Sequence, residues 1–308
     1  DYALLFRGKY PGNLWKIRGQ LFQGGVCMLT KLLKHEWKET WRIPALCCAI
    51  VILMTLTAVI CFTRMSPPAK ADDLNAGAFV LMMFYVMTIT CISFVITLYV
   101  AVRFYRNLYT DQGYLMHTLP VTPRQLLVSK LLVSTVWLFI VTLLVLWAIF
   151  MILIFALPVM VLEDMNLSFS FFMKYAAEYS GALFGMSLPA FIVFNFFYFL
   201  VSSMSSALVI YGSISLGQMF SKHKVMGSVL CYIGVTILIQ TVTSFAMTPY
   251  LTKIVITNRS VSIGPGIPDF MGSFMRNTFI FSFIASVVTG AACYVLSEYL
   301  MKKQLNLD

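Results

Sequence analysis

The chain reads as an all-α integral membrane protein of six transmembrane helices, and three observations carry that reading. Of its 308 residues 60% are apolar and only 11% charged, against about a quarter charged in soluble domains. Mean hydropathy is +0.85. The charge-free runs are also long enough to cross a hydrocarbon core, which takes about 20 apolar residues per helix. A chain of this composition must be solvated by lipid, and its length leaves room for about six spans and one membrane domain.

Residues 1–27 hold five glycines, a proline and scattered basic residues without a period. They are an unassigned N-terminal extension, either an upstream segment ahead of a natural start at Met28 or a poorly ordered cytoplasmic tail. A six-span membrane domain is expected over 28–308. From Leu29 to Ile43, LTKLLKHEWKETWRI alternates apolar and charged residues at helical spacing. Leu32, Leu33, Trp37 and Trp41 can share one side, with Lys31, Lys34, Lys38 and Arg42 around the rest. Such a helix belongs in the headgroup plane, its tryptophans at the interface and its cations on phosphates. It forms an elbow into the first span. Adjacent His35 and Glu36 point in different directions and do not suggest a metal or acid–base site.

Spans are expected at about 44–62, 78–102, 131–157, 190–217, 225–246 and 278–300, the last two separated by a loop of about thirty residues that contains Gly264, Pro265, Gly266 and Pro268. The interval from Glu178 to Lys222 is ambiguous, since it could hold one span or a span plus a shorter segment. Gly181, Gly185, Ser187 and Pro189 mark its first part as irregular, so one span from about 190 is chosen. Six spans put the N-terminus, the loop after span two, the Ser221–Lys224 loop and the tail on one side. That side carries sixteen Lys and Arg against six Asp and Glu, while the other carries six of each. The bias assigns the first side to the cytoplasm, with both termini there.

Chemistry-bearing motifs are missing from the sequence. There is no HExxH, no GxSxG and no GxxxxGK[ST], so neither an intramembrane hydrolase nor a self-contained ATPase is indicated. Six of the seven cysteines fall in or beside apolar runs, without CxxC spacing, which suits inert packing residues. No nucleic-acid motif accompanies the net charge of +10. Glu298, near the end of span six, is expected to pair with Lys302 one turn on. Asn195 and Gln240 lie inside spans four and five, where each could line a substrate path or bond a neighbouring helix. The pairs Ser202/Ser206, Ser203/Ala207 and Ser213/Gly217 on span four let helices approach closely, within one chain or across a dimer seam.

The stretch YRNLYTDQGYLMHTLPVTPRQLLVSK, 105–130, is too ordered in composition for a plain connector. Tyr114, Leu115 and Leu119 supply an apolar ridge, Arg106 and Asp111 supply rim charges, and Pro120 with Pro123 redirects the chain toward the membrane. Together with the elbow MLTKLLKHEW, the loop SISLGQMFSKHKVMGS and the tail YLMKKQLNL, this stretch resembles the permease subunit of type-two ABC exporters of the Gram-positive bacterial kind. The resemblance implies that residues 105–120, with Tyr105, Arg106, Asp111, Gly113, Tyr114, Leu115, Leu119 and Pro120, form a coupling helix between spans two and three. It further implies a partner ABC ATPase that binds ATP and Mg, a second permease half forming a homo- or heterodimer, a plasma-membrane location, and no catalytic residue or cofactor in this chain. A competing reading is a non-transporting assembly or sensor subunit that recruits a soluble partner through the same loop.

Overall fold

In the computed structural model, the described residues are 30–64, 76–109, 123–174 except 161–172, 177–178, 180–181, 184–220, 224–258 and 267–304. They form a short helix α1 over residues 30–40, then α2 (Arg42–Arg64), α3 (Ala76–Tyr109), α4 (Pro123–Met160), α5 (Leu188–Gly217), α6 (Lys224–Asn258) and α7 (Ile267–Gln304). Among the described residues there is no strand. The six helices from α2 to α7 are each long and apolar enough to cross a membrane, as expected, and the chain is read as a multi-pass membrane protein. Its outer surface agrees, with Phe245 74% and Phe84 68% exposed. Such surface is stable against lipid tails and would be a large apolar patch in water.

Every span except α5 is longer than its charge-free run. At about 1.5 Å per residue, the 34 residues of α3 extend roughly 50 Å, well beyond a hydrocarbon core of about 30 Å. The helix therefore continues through Arg103 and Arg106, and α4 begins ahead of Lys130. The expected thirty-residue loop before span six is corrected most. Helix α6 runs on to Asn258 and α7 starts at Ile267, leaving 259–266 between them. Only Pro268, of the turn formers expected there, lies in a described helix, while Gly264, Pro265 and Gly266 lie outside the described residues.

The irregular part before span four is a helix joint. The backbone N–H of Gly185 donates to the Gly181 carbonyl at 3.0 Å, and Gly185 then takes φ +64°, a left-handed conformation that ends the turn. Ser187 and Pro189 open α5, the proline sitting where its missing N–H costs no bond.

Helices α2 and α3 pack on α4, α6 and α7 pack on α5, and α4 meets α5 to join the two groups. One core cluster lies at the α1 end of the bundle, where Phe104, Leu127, Leu131, Leu208, Tyr211 and Ile214 meet. A second links the middle and far parts of α2, α3 and α4 around Val51, Phe62, Tyr85 and Ala148. Small residues set the α5 contacts. A Cβ on Gly217 would stand 2.4 Å from the Ser228 backbone of α6, and one on Gly212 would stand 3.2 Å from Cys293 of α7. Ser203, Ala207, Ser213 and Gly217 are all buried within this chain, which assigns those positions to packing inside one subunit.

Candidate functional site

Two polar regions stand out in the bundle. The first begins with a proline. Pro44 has no N–H, so the carbonyl of Thr40, four residues earlier, lacks its helical partner. The Tyr99 hydroxyl of α3 lies 3.5 Å from that carbonyl, and the chain turns at Trp41 between α1 and α2. Backbone bonds from Trp41 to Trp37 and from Ala45 to Trp41 keep the turn ordered. This geometry sets the face that α1 presents to the bundle. Leu32, Leu33, Glu36 and Thr40 point inward.

Glu36 is consequently 4% exposed, although it sits on a helix dominated by solvent-facing charge. One of its carboxylate oxygens accepts from Lys130 of α4, itself 4% exposed, and the other accepts from Arg103 of α3 at 3.1 Å. Arg103 also donates to Glu39 at 2.9 Å. Two anions meet two cations. Burial alone would push the Glu36 carboxyl up, but the ammonium of Lys130 and the guanidinium of Arg103 more than offset it and hold the group below the usual carboxylate value. Around the cluster a void of only about 10 Å³ remains, no more than one water could use.

The cluster continues into α5. The Tyr211 hydroxyl donates to the Lys130 carbonyl at 3.2 Å and accepts from Ser134 at 2.6 Å, while its ring stacks on Phe104 with centroids 3.7 Å apart. Four helices, α1, α3, α4 and α5, are thus tied at one point. Nearby, Trp37 stacks on Trp137 at 5.1 Å.

The second region is a cleft of about 380 Å³ among α5, α6 and α7, with Thr97 of α3 and Leu138 of α4 at its back. Eleven of its seventeen lining residues carry a hydroxyl and none is charged. It lies roughly midway along each helix, among Ser202 and Ser206 on α5, Thr236 and Gln240 on α6, and Ser286 on α7.

The expected site residues distribute as follows. Tyr105 and Arg106 lie on the last turns of α3, and Asp111, Gly113, Tyr114, Leu115, Leu119 and Pro120 lie outside the described residues. Trp37 and Trp41 are exposed at 42% and 48%, beside exposed Lys38 and Arg42. Gln240 lines the cleft, whereas Asn195 does not, its side-chain amide donating to the Phe191 carbonyl of its own helix at 2.8 Å. Glu298 reaches across to Arg124 of α4, and the Lys302 side chain lies outside the described residues. No group of three or more metal-ligating residues occurs among the described residues.

Sequence spacing could not find the charged cluster, because its partners are 67 and 94 residues apart. One signal was available. Glu36 stands one turn before Thr40 and on the side of Leu32 and Leu33, which places a carboxylate on the apolar face of an otherwise basic helix. Comparison with known protein families, with curated proteins and with solved structures finds no match.

Proposed function

We propose that this chain is the membrane-spanning subunit of an ATP-driven exporter in the plasma membrane, with both termini and the α1 end of the bundle in the cytoplasm. A separate ABC ATPase docks on residues 105–120, and a second permease half, identical or not, completes the transporter. The observation that supports this most is the position of the buried ion cluster. It clamps α1 to α3 and α4, the two helices that lead into and out of the docking segment, and α4 carries the connection on to α5 through Tyr211. A push delivered between Tyr109 and Pro123 is therefore handed to several helices together. Two alternating arrangements of such packed helices are what moving a substrate across a membrane requires. The excess of Lys and Arg at the α1 end favours its cytoplasmic placement. No P-loop is present to supply the energy, so ATP and Mg belong to the partner.

Co-expression with the P-loop ATPase of an adjacent reading frame tests the assignment. Gly113→Pro, or Tyr114→Ala combined with Leu115→Ala, is expected to abolish both co-purification and substrate-stimulated ATP hydrolysis while membrane insertion persists. Intact complex and turnover in those variants would remove the coupling role. A complex that forms normally but moves nothing in reconstituted vesicles would leave recruitment of a soluble partner as the function.

A further inference from the structure

We infer that the cleft among α5, α6 and α7 is a binding site for the uncharged, polyhydroxylated head of an amphipathic molecule. The inference rests on the exporter reading only in calling that molecule a substrate. The site itself is argued from four features of the cleft.

Position comes first. Its walls lie midway along three membrane-spanning helices, where a polar side chain without a partner is costly and is kept for packing or for a ligand. Size comes second, since about 380 Å³ falls within the range of roughly 300–1,000 Å³ typical of small-molecule sites.

Hydrogen-bonding capacity is the third feature, and it is divided in a way that selects the ligand. Ser206, Thr236, Thr243 and Thr289 donate their hydroxyl hydrogens to carbonyls of their own helices, at 2.7 to 2.9 Å, which leaves oxygen lone pairs to accept from a guest. Ser202, Tyr232, Gln240, Ser282 and Ser286 also line the cleft, and among the described residues their side chains make no hydrogen bond. They are available as donors. A guest must then both give and take hydrogen bonds at many closely spaced points, and a polyol does so at every oxygen.

Charge is the fourth. With no ionic residue in the lining, a phosphate, sulfate or ammonium head would enter a poorly solvated space without a counter-charge. The buried charged residues among those described, Glu36 and Lys130, instead pair with each other at the α1 end, leaving the cleft neutral. Val209, Ile210 and Ile239 add apolar wall beside the hydroxyls, suited to the first carbons of a tail.

The test uses the full chain in phosphatidylcholine nanodiscs, without any ATPase, so that its outcome is separate from that of the coupling experiment. Three probes share one diazirine-bearing alkyl tail and differ only in the head: glucoside, phosphocholine or sulfate. After illumination, mass spectrometry is expected to find the glucoside on peptides covering 198–210, 232–243 and 282–289 at about ten times the level of the other two, because the charged heads lack a partner there. Free octyl glucoside should compete. Ser206→Leu with Ser286→Leu should remove that labelling while leaving the thermal midpoint and the labelling of α2 and α3 unchanged. Equal labelling by all three heads, or labelling spread evenly over the lipid-facing helices, would mean annular lipid only and overturn the proposal. An intermolecular disulfide formed efficiently by Ser206→Cys would place a second copy in the cleft and overturn it as well. Should the double variant fail to fold, Thr236→Val, which keeps shape and removes one hydroxyl, is expected to lower glucoside labelling, and an unchanged level would count against the site.

Discussion

The charged cluster at Glu36 and the cleft between α5 and α7 solve the same problem, polar groups within an apolar bundle, in opposite ways. At Glu36 the charges are full and balanced two against two, with Glu36 and Lys130 buried and space for at most a single water. In the cleft the groups are neutral and numerous, several lack a partner among the described residues, and the space is far larger. A closed ionic cluster fixes geometry, because removing any member strands a charge. An open hydroxyl surface fixes little and stays available to a guest. The contrast separates a part of the molecule that holds its shape from a part that receives something.

Removing one member of the ionic cluster should give the largest effect. Glu36→Ala leaves Lys130 buried beside Arg103 without its carboxylate partner, and a loss of about 3–5 kcal/mol is expected. Fluorescence-detected thermal unfolding of the purified chain measures it. Combining Glu36→Leu with Lys130→Met should recover much of the loss, since both charges then leave together. Recovery of nothing would mean that the cluster is not an interacting pair.

The same cluster predicts a pH dependence that the cleft lacks. Because the Glu36 carboxyl in the folded chain lies below its unfolded value, its contribution is fully present above about pH 4.3 and is lost as pH falls through the depressed folded value. Wild type should therefore lose more stability than Glu36→Gln on acidification below about pH 4. Parallel curves for the two proteins would break the comparison.

The smallest effects should distinguish the two kinds of hydroxyl. Ser134→Ala deprives buried Tyr211 of a bond and should cost about 1 kcal/mol. Ser206→Ala, on the open cleft wall, should leave the thermal midpoint in place. Equal losses at the two serines would dissolve the distinction between holding and receiving.

How much of this was legible in the chain depends on whether the signal is local. Six spans follow from runs without charge, and the helix joint before α5 follows from Gly185, Ser187 and Pro189, all read within a few residues. Charge-free runs place the helix ends short, because Arg103 and Lys130 look like stop signals. In the fold each has a carboxylate partner on α1, so the helix can continue beneath its charge. The cleft was half legible. Gln240 is a polar residue inside a span and does reach the cavity, but Asn195 has the same sequence signature and turns back on its own backbone. Which way a residue faces depends on helix rotation, and rotation is set by contacts from distant parts of the chain, such as the approach of Gly212 to Cys293.

The close approach of Gly217 to Ser228 has a consequence for how the molecule could open. Among the described residues of α6 only Gly227 and Ser228 are buried, both in its second turn, and the later described residues meet their neighbours with partly exposed side chains. A rod pinned at one tip swings like a door on a single hinge. The motion that disturbs the least buried surface thus carries the middle of α6 away from α7, and the threshold it uncovers is lined with serine and threonine.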